Sequence, residues 1–108
     1  MRNLVFAAVM FHAAAASAQP APDWRAILAD LYRIDVAFDV CATITPAASD
    51  MLRLEGAIAY VEEKSSLEED ELDELYGEME RESAPLADFC ARMSDSIARV
   101  QALPNEYR

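Results

Sequence analysis

The chain has 108 residues, 9 basic against 20 acidic, and a formal net charge of −11 at pH 7. A balance of that sign repels phosphates and anionic lipid surfaces, so nucleic acid and an anionic membrane face are excluded as partners. No segment alternates apolar and polar residues and the whole chain holds only two glycines, which leaves strands and hairpins unsupported and makes the fold class all-α.

Met1-Arg2-Asn3 is a short positive start, Leu4 to Phe11 is an apolar run extended by Ala13 to Ala16, and Ala16-Ser17-Ala18 is a small-residue exit. These three parts in that order predict a cleaved secretory signal over 1–18, with 19–108 as a single helical domain. A membrane-spanning helix needs about 20 apolar residues. This run is shorter, contains His12 and is closed by Gln19-Pro20. No cysteine follows the cleavage point, so a lipid anchor is unsupported. The expected location is the periplasm or the secreted fraction. Cleavage removes one basic and no acidic residue, leaving 8 against 20 and a side-chain charge of −12.

Four helical stretches follow. Asp23 caps the first, where Trp24, Ile27, Leu31, Ile34, Phe38 and Cys41 recur at steps of three and four and so share one face. Thr45-Pro46 is read as the start of the second, a capping hydroxyl ahead of proline at the first helical position, with Ala47, Met51, Leu54, Ile58 and Val61 as its stripe. Ser65 with Glu68 fits a capping box for the third, whose stripe is only Leu72, Leu75 and Met79. Leu86, Cys90, Met93, Ile97 and Val100 form the fourth, ended by Pro104, with Asn105 to Arg108 expected to fray. The predicted architecture is a small antiparallel bundle of four helices with one disulfide, or of three with the last long and kinked at Pro85. A break at Pro85 is favoured because proline removes a backbone bond and Ser83 offers a cap.

Ninety residues make a thin core, in the size range where a covalent staple helps. Cys41 and Cys90 are an isolated pair without C-x-x-C spacing, and both fall on core-facing stripes. In an oxidising compartment they are expected to form one structural disulfide. Short connections place Cys41, at the last turn of the first helix, and Cys90, in the second turn of the fourth, at the same end of the bundle.

The available chemistry is narrow. His12, within the signal, is the only histidine, so the mature part lacks the commonest general base and metal ligand. Phosphate-binding glycine loops and nucleophile elbows are absent from the sequence, so no enzymatic activity, catalytic residue, cofactor or metal is expected.

Charge is concentrated instead. Eleven carboxylates lie between Glu62 and Glu82, against Lys64 and Arg81. The bland interpretation is a solvated helix face that keeps the protein soluble. The sharper one makes Glu68, Glu69, Asp70, Glu71, Asp73, Glu74 and Glu78 a recognition surface for a cationic protein. EF-hand spacing fails at Leu72 and lacks its glycine. Helix 1 also carries Leu28, Tyr32, Val36 and Val40 beside its stripe, and helix 2 carries Ala48, Leu52, Gly56 and Ala59. Broad apolar faces of this kind suit helices that touch two neighbours. The alternative is spare surface for a dimer or client. The leading functional expectation is therefore a non-enzymatic binding module for a cationic partner, and the rival is a periplasmic stress chaperone or holdase that exposes apolar helix faces. A homo-oligomer has no specific support in the residues.

Overall fold

A computed structural model describes residues 20–108. The expected signal and cleavage point lie outside the described residues. Among the described residues five helices follow one another: α1 (Trp24–Val40), α2 (Ala48–Ser65), α3 (Glu69–Glu82), α4 (Leu86–Arg92) and α5 (Ser96–Gln101). Helix α1 packs against both α2 and α3, and α5 packs against α2. Among the described residues, no helix is long and apolar enough to cross a membrane.

The all-α class and the disulfide hold, but the helix number is corrected. Five helices replace the four expected, and replace equally the three-helix version with a long helix kinked at Pro85. Two breaks separate the last three. The first falls at Pro85, where the Ala84–Pro85 peptide is cis. There Ser83 closes α3, its hydroxyl donating to the Glu80 carbonyl at 2.6 Å, and does not cap α4. The second break divides the expected fourth helix at Met93–Asp95. Ser94, Asp95 and Ser96 are consecutive residues of types whose side chains can compete for the backbone, and Ser96 does so. The Ser96 hydroxyl donates to the Met93 carbonyl at 2.5 Å, and the Ser96 N–H reaches the same oxygen at 3.0 Å. That spacing of three residues tightens the turn and interrupts the helix. Apolar periodicity could not reveal it, because Met93 and Val100 are buried on either side.

Caps follow the same lesson. Asp23 accepts from the Ala26 N–H at 3.1 Å, as the sequence predicts. Thr45, however, does not start α2. The Asp50 carboxylate reaches back to the Ala47 N–H at 3.0 Å and accepts from the Gln101 amide at 3.1 Å, which satisfies it in a buried position. Ser65 closes α2 instead of opening α3, donating to the Glu62 carbonyl and accepting from the Leu67 N–H. Ser66, the next residue, is left-handed at φ 58°, a common helix-ending conformation. Glu71 then accepts from the Glu68 N–H at 3.0 Å to begin α3.

The core joins Leu28, Leu31, Tyr32, Ile34, Val36, Leu54, Val61, Leu75, Phe89 and Val100. Of the apparent surplus of α1, Leu28, Tyr32 and Val36 are core residues, because α1 serves two neighbours, whereas Val40 at its end is exposed. The corresponding row of α2 remains outside, with Leu52 68% exposed. The Cys41–Cys90 bond is present, joining the C-cap of α1 to α4.

The tail expected to fray is tied down. Arg53 of α2 donates to the carbonyls of Leu103 at 3.0 Å and Pro104 at 2.5 Å, and to that of Tyr107. Tyr107 stacks on Tyr60 with ring centroids 5.2 Å apart and sits 6.1 Å from the Trp24 ring. Arg53→Ala should release this strap and cost about 1–2 kcal/mol, since several charge-assisted bonds are lost at a partly solvated site. Trp24 is the only tryptophan. Its emission should therefore shift toward that of a solvated indole in the variant, and an unchanged spectrum would show that the tail is held by other contacts.

Candidate functional site

The acidic run divides into carboxylates occupied in the fold, carboxylates facing a cleft and carboxylates simply exposed. Glu71 caps Glu68, and Asp70 accepts from the Glu71 N–H at 3.0 Å, so the first turn of α3 absorbs part of the charge. These acids also favour the positive end of the helix. Glu78 approaches Arg25 of α1 at 3.7 Å. Glu74 is exposed. Glu82, not singled out from sequence, receives two bonds from the Arg33 guanidinium, at 2.9 and 3.2 Å.

Glu69 and Asp73 have a different setting. They line a cleft of about 410 Å³ together with Asp35 of α1 and Glu62 of α2. Ile58 and Leu72 supply its apolar wall, and Tyr32 and Tyr76 its aromatic part. The two rings meet edge to face with centroids 5.2 Å apart. The Tyr32 hydroxyl donates to Glu62 at 2.5 Å, and the Tyr76 hydroxyl to Asp35 at 2.8 Å. Burial raises both phenols well above their usual range, reinforced by the hydrogen bond to Glu62 or Asp35 and by the charge of nearby carboxylates. Both hydroxyls therefore stay protonated and orient the carboxylates they touch.

Of the seven acids proposed from sequence, the structure brings two to this cleft and adds two from other helices. Among the described residues, Asp35, Glu62, Glu69 and Asp73 have no Arg or Lys within ion-pair distance, whereas Asp30, Glu78, Glu82 and Asp95 do. In the last stretch Arg99 lies 3.9 Å from Asp95 and is closer to Asp30, and Arg92 sits over the Phe89 ring at 5.7 Å. Asp35 and Tyr76 escaped sequence reasoning because each lies off the main stripe of its helix. Asp35 stands three residues after Tyr32, and that adjacency was the available signal.

The arrangement can concentrate negative potential beside aromatic and aliphatic surface. Among the described residues, no group of three or more His, Cys, Asp or Glu side chains is arranged to hold a metal ion. No family model, curated protein or solved structure matches the chain.

The Arg33–Glu82 pair gives α3 a pH dependence of known sign. The Arg33 hydrogen bonds hold Glu82 below the usual glutamate range, against a smaller opposing effect of burial. Its stabilisation is therefore present above about pH 4.3, the ordinary glutamate value, and disappears as pH falls through the lower folded value. The Glu82 side chain is 40% exposed and that of Arg33 24%, so solvent screening limits the contribution to under about 1 kcal/mol. Glu82→Gln should flatten the acid limb of the stability curve. An acid limb identical to that of the parent protein would remove the pair from the account.

Proposed function

We propose that the protein is an exported, non-enzymatic binding module that holds a basic protein segment in the cleft between α1, α2 and α3. The observation that carries this reading is the convergence of Asp35, Glu62, Glu69 and Asp73 from three helices on one cleft without an internal cation. A merely solvating helix face would spread its charges into water. Here like charges are gathered beside low-dielectric walls, a placement that is unfavourable in isolation and is relieved by an incoming ammonium or guanidinium. Tyr32 and Tyr76 fix two of the carboxylates, so less ordering remains to be done on binding. Leu72 and Ile58 offer apolar contact to the aliphatic stem of a lysine or arginine.

Calorimetric titration with a lysine-rich peptide tests this. Binding should be measurable at low salt and fall steeply at high salt. The double variant Glu69→Gln/Asp73→Asn removes two exposed charges with no partner in the fold and should weaken binding several-fold. Glu74→Gln, outside the cleft, should change it little. Equal effects of the two variants would reduce the site to general surface charge, and no binding at low salt would sink the proposal.

A further inference from the structure

The disulfide acts on one short helix. Helix α4 has seven residues, too few to be stable alone in water, and it lies between the Pro85 break and the Met93–Asp95 turn. Its N-cap, Pro85, supplies no side-chain hydrogen bond. Leu86, Ala87, Asp88, Ala91 and Arg92 are exposed, so within α4 the inward attachment rests on buried Phe89 and half-buried Cys90. The elements on either side are held independently. Glu82 is gripped by Arg33 on α1, while Ser96 and Val100 are fully buried and Arg99 bonds Asp30. With the disulfide intact, α4 cannot leave without dragging Cys41, which is 3% exposed at the C-cap of α1.

We propose that the Cys41–Cys90 bond is a redox latch: its reduction by a dithiol releases α4 as a local loop while α1, α2, α3 and α5 stay folded. Cys90 is the less buried residue of the pair, so the thiolate of the reductant attacks Cys90 Sγ, forming a mixed disulfide and expelling Cys41 as a thiolate. The second thiol of the reductant then resolves the mixed disulfide. That second step expels Cys90 as a thiolate; two electrons pass from the dithiol, which becomes a disulfide, and both cysteines end as thiols after each thiolate takes up one of the two protons the dithiol gives up. The thirteen residues from Ser83 to Asp95 regain backbone freedom, which offsets the lost burial of Phe89 and Met93. The device does not depend on what the cleft binds.

Amide exchange on the full protein, oxidised and after reduction with dithiothreitol, reads the latch directly, with thiol content verified by mass. Protection should be lost across Leu86 to Met93 and retained in α1 and α2. Cys41→Ser/Cys90→Ser without reductant should reproduce that pattern, which separates the broken bond from any effect of the reagent. Loss of protection in all helices together, in either sample, overturns the proposal, since the bond would then hold the whole domain. Unchanged protection in α4 after verified reduction overturns it as well.

Discussion

Reduction of the Cys41–Cys90 bond, or Cys90→Ser, should lower the free energy of unfolding by about 2–5 kcal/mol. The two cysteines are 49 residues apart in sequence. On the chain-entropy estimate, closing a loop of that length restricts the unfolded ensemble by about 4 kcal/mol. A small domain has only about 5–15 kcal/mol in total, so the bond is a large share of the margin. Denaturant melts with and without reductant measure the difference. A lower midpoint is the expected form, and superimposable curves with the oxidised bond verified would remove its structural role. The same comparison bears on the latch. If α4 opens in the reduced protein, the reduced slope should be slightly smaller, because less surface remains to be exposed.

Leu75→Ala should cost about 2–5 kcal/mol, the range for emptying a buried leucine site. The reason is specific to α3. Only Leu75 and Met79 of its fourteen residues are buried, with Leu72 and Tyr76 half-buried beside them. Its remaining ties are polar and largely solvated: Tyr76 to Asp35, Arg33 to Glu82 and Arg25 to Glu78. Asp70/Glu74 and Glu74/Glu78 are like charges four apart, which oppose helix formation. Amide exchange should show α3 losing protection before α1 or α2 in the variant. Equal loss in all helices would mean that α3 is as firmly anchored as they are.

What could be read from sequence was whatever depends on residues near one another in the chain. The Asp23 cap, the apolar stripe of α3 and the inward placement of Cys41 follow from local hydrogen bonding and from steps of three and four. Pairing of Cys41 with Cys90 followed because no other cysteine was available. The division of the last stretch was hidden, since Ser96 bends the backbone at Met93 without disturbing the apolar steps. The C-terminal strap was hidden for a different reason: it depends on Arg53, about fifty residues earlier, collecting three carbonyl oxygens. The acidic run was visible as a concentration of charge, but its division was not. Which acids cap α3, which meet Arg25 or Arg33 and which enter the cleft depends on how α3 lies against α1. Composition carries no information about that packing.

The proposed function requires that the cleft receive the cation. Amide chemical-shift mapping of the oxidised protein with a short oligolysine peptide, at low and then high salt, tests this most directly. The predicted result is a cluster of perturbations at Tyr32, Asp35, Glu62, Glu69, Asp73 and Tyr76 that collapses as salt rises. Perturbations spread evenly over exposed acids elsewhere, such as Glu55, Glu63 and Asp88, or confined to the outer side of α3 around Glu74, would contradict it.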